Sequence, residues 1–104
     1  SEYLEEGWDK YNNARKEREA KREEEEKQKK LRKKRDLVND LKRLIEENQT
    51  ELEELKAKNI EGFSEYQKEH HQSKIDYCEE VIPIYKARLT DSNYLDLYWD
   101  ELSQ

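Results

Sequence analysis

Methionine is absent, cysteine, proline and phenylalanine occur once each, and glycine occurs twice in 104 residues. A lone cysteine, Cys78, excludes a disulfide framework. One proline and two glycines are too few for the repeated turns of a β-sandwich or barrel. No apolar run approaches the roughly 20 residues that cross a bilayer, and none has the form of a secretory signal core. Hydrophobic residues make up 32% of the chain and charged residues 46%, against roughly 45–50% and about 25% in an ordinary globular domain. A conventional single-core globule is disfavoured, and a protein of long helices is what remains.

The formal charge of −6 conceals an asymmetry. Residues 13–36 carry twelve basic groups against seven acids, whereas residues 63–104 carry four against nine. Residues 1–12 and 37–62 are each acidic as well. One basic block is thus flanked by acidic chain on both sides. It meets either an external anion or the acidic end of its own chain.

Four stretches follow in order. Residues 1–12 form an aromatic amphipathic segment, with Leu4, Trp8 and Tyr11 at helical spacing on one face. Gly7 weakens a helix there by about 1 kcal/mol. Residues 13–60 read as a long charged helix. Its first half holds almost no apolar side chain but has Glu four residues before Lys at Glu17/Lys21, Glu23/Lys27, Glu25/Lys29 and Glu26/Lys30. Such pairs support an exposed helix by roughly 0.2–0.5 kcal/mol each. From Leu31 a coiled-coil seam begins: Leu31, Lys34, Val38, Leu41, Ile45, Asn48, Leu52 and Leu55 alternate at spacings of three and four. Asn48 is a polar seam residue of the kind that fixes register. The helix ends near Asn59–Gly62, where Gly62 offers a left-handed terminator. Ser64-Glu65-Tyr66-Gln67 fits a capping box and starts a second helix over 64–90. Its seam is Ile75, Cys78, Ile82, Tyr85 and Leu89, with Pro83 off the seam as a source of a kink. Capping residues at Thr90–Asn93 introduce a short aromatic helix over 92–103.

Folded back about Gly62, the two seams match, with Val38 opposite Tyr85, Leu41 opposite Ile82, Ile45 opposite Cys78, Asn48 opposite Ile75 and Leu52 opposite His71. The fold class expected is therefore all-α: an elongated antiparallel helical hairpin of coiled-coil type, with a long charged first helix and a short C-terminal aromatic helix. A hairpin buries little, so a partner is expected, either a second copy or another protein. Leu37, Leu44, Val81 and Ile84 are apolar residues that the seams do not use.

The two ends echo one another: SEYLEEGWD at 1–9 and SNYLDLYWD at 92–100 share Ser, Tyr, Leu, an acid, Trp and Asp at the same spacing. The echo is either two equivalent caps of a symmetric bundle, two copies of a partner-binding motif, or a coincidence between short amphipathic helices. Leu97-Tyr98-Trp99-Asp100-Glu101 also resembles the tryptophan-acidic peptides read by kinesin light chains, over those five residues alone. Trp and Tyr are enriched at interface hot spots, so Trp8, Tyr11, Tyr94, Tyr98 and Trp99 are the candidate partner-binding residues.

Sites for other chemistry are poor. His70, His71 and Cys78 are the soft metal ligands, too few and too far apart for a structural zinc, so no metal or other cofactor is expected. The ordinary reading of His70 and His71 is a partly exposed pair. No glycine-rich phosphate loop, nucleophile elbow or catalytic constellation is present, so neither an enzyme nor a small-molecule substrate is expected. Lys27, Lys29, Lys30, Arg32, Lys33, Lys34 and Arg35 crowd seven basic groups into KQKKLRKKR. With no aromatic interleaved, that run offers only salt-dependent phosphate contacts to a nucleic acid. The leading expectation is a non-enzymatic helical protein–protein interaction module: an adaptor, assembly subunit or inhibitor docking on a larger machine. The alternatives are nucleic-acid phosphate binding through 27–35, or an acidic decoy that occupies a DNA-binding protein. A free, core-type cysteine points to a reducing, cytoplasmic setting with no membrane.

Overall fold

The computed structural model describes residues 2–96, with side chains from Leu4 onward. Two long helices, α1 (Glu2–Ala57) and α2 (Glu65–Thr90), are followed by a further helical turn over 92–96. No strand occurs among the described residues, and the fold is an all-α helical hairpin. The chain divides into two compact units, Ser1–Lys33 and Lys34–Gln104.

The first unit is a stretch of α1 that stays helical with little help from packing. From Leu4 to Arg32 every side chain except Asn12 is exposed. The helix passes through Gly7 without a break. Arg15 pairs with Glu19 at 3.0 Å, and Gln28 donates to Glu24 at 3.0 Å. These contacts, rather than the four expected Glu-to-Lys pairs, link polar side chains one turn apart in this stretch. Exposed pairs one turn apart exchange partners at little cost, so the spacing supports the helix without fixing which pair forms.

The second unit is the hairpin. Leu41, Ile45, Cys78, Ile82 and Leu95 form its buried apolar core. Val38, Leu52 and Leu55 on α1, and Ile75, Tyr85 and Leu89 on α2, are half-buried beside it. Both seams are therefore where the heptad spacing puts them, although Leu31 is 47% exposed and lies outside the packed region. Asn48 is buried, but its Nδ2 donates to the Leu44 carbonyl of its own helix at 2.7 Å. That bond does not cross the hairpin, so Asn48 does not set the register in the way a paired seam asparagine does.

The register differs from the sequence expectation by one layer. His71, expected opposite Leu52, instead reaches the backbone carbonyl of Leu55 at 2.8 Å. The turn explains the shift. Gly62 has no positive φ, so the left-handed terminator is not used. Instead Asn59 Oδ1 accepts from the Glu61 N–H at 3.0 Å, and the Phe63 N–H donates to the Ile60 carbonyl at 3.0 Å. This brings Phe63 edge-on to His71, with ring centroids 6.1 Å apart. The first layer above the turn is thus Leu55, Phe63 and His71.

α2 begins as the sequence predicts. Ser64 is its N-cap, its hydroxyl accepting from the Gln67 N–H at 3.2 Å while Gln67 Oε1 accepts from the Ser64 N–H at 2.9 Å. Such a cap contributes about 1 kcal/mol. The helix runs through Pro83, whose ring sits on the exposed side. Asp91 then caps the next turn, accepting from Asn93 N–H at 3.0 Å and Tyr94 N–H at 3.2 Å. That turn drives Leu95 into the core and places Asp96 3.0 Å from Lys34.

Candidate partner-binding site

A surface suited to a partner needs apolar area that the fold has not already used. On the first unit that area is the Leu4, Trp8 and Tyr11 face of α1, exposed by 73%, 64% and 54%. The helical spacing puts Trp8 and Tyr11 on adjacent turns, and their rings stack with centroids 5.9 Å apart and planes 29° from parallel. Two amphipathic rings thus form one continuous plate. Each can bury its face and still offer a polar edge to a partner.

The second copy of the echo is built differently. Leu95, the counterpart of the exposed Leu4, is 6% exposed. Tyr94 is half-buried, with the Arg88 guanidinium 5.1 Å from its ring centre. Here the amphipathic turn closes the open end of the hairpin. Tyr98 and Trp99 lie outside the described residues. Shared spacing in the two segments therefore does not produce a shared environment over the portions that can be compared.

In the basic run, Lys27, Lys29, Lys30, Arg32 and Arg35 are exposed, whereas Lys33 and Lys34 are half-buried. Lys34 ion-pairs with Asp96, so at this residue the basic block meets the acidic end of the chain.

The two histidines separate. His70 is exposed and lies parallel to Tyr66, with ring centroids 6.3 Å apart. His71 is buried at 9% exposure. The expectation of a partly exposed pair holds for His70 alone, because His71, seven residues before Cys78, sits in the seam of α2 and is buried there. Its bond serves the fold. The last carbonyls of α1 lack the usual donor four residues on, and the Leu55 oxygen accepts from the Lys58 N–H at only 3.4 Å; a carbonyl only accepts, so His71 Nε2–H donates to it as a second, shorter bond. No group of three or more His, Cys, Asp or Glu suited to a metal occurs among the described residues.

Cys78 is a core residue at 1% exposure, and burial, followed by the charge of Glu51, pushes its thiol above the ordinary range. The folded value exceeds the unfolded one. Its stabilising effect is therefore complete below the ordinary thiol value and fades as the pH climbs toward the folded value. Tyr77 is raised too, first by its hydrogen bond with Tyr85 and then by the charge of that residue. Between about pH 8 and 10 the wild type should lose urea resistance faster than Cys78→Ala does. Parallel pH profiles for the two proteins would remove the thiol from this account.

No helix among the described residues is long and apolar enough to cross a membrane. No protein-family model, curated protein or solved structure matches this chain.

Proposed function

We propose that this chain is a non-enzymatic protein–protein interaction module, an adaptor, assembly subunit or inhibitor that docks on a larger protein through its N-terminal aromatic face. The observation that carries the reading is the stacked, exposed pair of Trp8 and Tyr11 on a helix whose other apolar neighbour, Leu4, is also exposed. A monomeric helix gains nothing from presenting an indole to water, whereas aromatic anchors dominate the energetics of helix-in-groove docking. The long charged stretch that follows continues the same helix with its side chains exposed from Asn13 to Arg32.

The test is capture from a lysate of the source organism after nuclease treatment, followed by titration of the captured protein against purified chain. Trp8→Ala with Tyr11→Ala should weaken that titration by about tenfold or more, the ordinary cost of losing an interface anchor. Helical content by circular dichroism should be unchanged, since both residues are exposed. A captured partner bound equally by the double variant would move the site elsewhere. Capture that disappears with nuclease, and follows charge reversal at Lys27–Arg35, would replace this reading with phosphate binding.

A further inference from the structure

The two flanks of the hairpin differ in kind. Lettering each seam as a heptad, with Val38, Ile45 and Leu52 and likewise Ile75, Ile82 and Leu89 at a, the e positions of the two helices face each other on one flank. That flank is ionic, with Lys56 of α1 3.1 Å from Glu79 of α2. The opposite flank carries the g and c positions. On α1 these include Leu37, Leu44, Glu51 and Glu54, and on α2 His70, Lys74, Tyr77, Val81 and Ile84. Glu51 acts electrostatically on both Tyr77 and Cys78, which places the two strips on the same side of the hairpin.

This flank is apolar at its centre and oppositely charged along its two strips. Leu37, Leu44 and Val81 are only half-buried, and Ile84 and Tyr77 are 42% and 56% exposed. Toward the turn, α1 contributes acids and α2 contributes bases. Between α2 and the end of α1 lies a cleft of about 200 Å³ whose lining includes Lys58, Tyr66, His70, His71 and Lys74 and, among the described residues, holds no carboxylate. Within a chain of 27 acids that composition is unusual. Neither Glu51, Glu54, Lys58 nor Lys74 enters an ion pair among the described residues, although neighbouring Lys56 and Lys68 do.

We infer that this flank is the interface of a two-fold dimer, in which α1 of each copy lies antiparallel to α2 of the other and the two hairpins form a four-helix bundle. A two-fold axis running along the hairpin keeps each residue at its own level. The His71 contact with Leu55 sets those levels. Leu44 then lies at the level of Val81 and Ile84 of the second copy, Glu51 at the level of Lys74 and Tyr77, and Glu54 at the level of His70 and Lys74. Apolar positions meet apolar ones, and each unpaired acid meets a base beside the carboxylate-free cleft. Because the axis repeats every contact, a strip that matches the other strip once matches it twice. A second copy also supplies what the hairpin is short of, since among the described residues its buried apolar core is Leu41, Ile45, Cys78, Ile82 and Leu95. The inference is independent of the aromatic docking face, which lies in the first unit.

Sedimentation equilibrium on the full chain should give two chains per particle. Two charge-reversed proteins, Glu51→Lys/Glu54→Lys and Lys74→Glu, should each self-associate at least about tenfold more weakly, since each puts like charges at the same levels twice. Their mixture should restore wild-type association as a heterodimer, because only that pairing opposes unlike charges at every level. Circular dichroism on each protein separates a lost interface from a lost fold. A wild type that stays monomeric to about 1 mM, where even a weak dimer is populated, would overturn the inference. So would variants that associate as the wild type does, or a mixture with no preference for the heterodimer.

Discussion

Leu41→Ala is expected to remove about 3 kcal/mol of stability, enough to leave the hairpin largely unfolded near physiological temperature. Leu41 is 4% exposed, in a core that holds five buried apolar residues among the described ones. Truncating a buried leucine costs roughly 2–5 kcal/mol, part of it lost transfer energy and part the cavity left behind. Two packed helices have few neighbours that can relax into that cavity. A small domain holds only a few kcal/mol in total, so one such loss is a large share of it. Urea unfolding at a fixed protein concentration measures the effect, with Tyr66→Ala as the control because Tyr66 is 77% exposed. A loss below about 1 kcal/mol at Leu41 would mean that the seam does not hold the hairpin together.

His71→Ala should cost about 2–3 kcal/mol, far more than truncation of a partly exposed histidine. Two losses combine. The Leu55 carbonyl gives up its shorter hydrogen bond, at 2.8 Å, and keeps only the 3.4 Å bond from the Lys58 N–H, so part of the roughly 1–3 kcal/mol cost of an under-satisfied buried polar group is incurred. Phe63 also loses the ring it meets edge-on. Two further substitutions separate the contributions. His71→Phe keeps the ring and removes the donor; His71→Gln keeps a donor and removes the ring. Both should fall between wild type and Ala in denaturant midpoint. If His71→Phe matched wild type, the hydrogen bond to Leu55 would contribute nothing and the side chain would act by packing alone.

Much of the hairpin was legible because its signals are local. The seams at Val38–Leu55 and Ile75–Leu89 follow from heptad spacing, and the start of α2 follows from Ser64 and Gln67 placed three residues apart. Register is a different kind of quantity. A heptad pattern fits equally well after a shift of one layer, so matching apolar positions could not separate Leu52 from Leu55 as the neighbour of His71. The deciding contacts lie in the turn, where His71 meets both the Phe63 ring and the Leu55 carbonyl. A histidine on the seam beside a helix C-terminus was the available signal. Gly62 misled for a related reason: glycine permits a left-handed turn but does not require one. The aromatic face at Leu4, Trp8 and Tyr11 was visible from spacing alone, whereas the different fates of Leu4 and Leu95 depend on the rest of the chain.

The arrangement of the end contacts also orders how the chain closes. The His71–Leu55 bond joins residues 16 apart in sequence, and Lys34–Asp96 joins residues 62 apart. Loop-closure entropy grows with that separation, so the layer beside the turn is the least costly to assemble, and each later layer extends a loop already closed. Leu41 belongs to the late layers. Its truncation should therefore leave the folding rate nearly unchanged and appear almost wholly as faster unfolding.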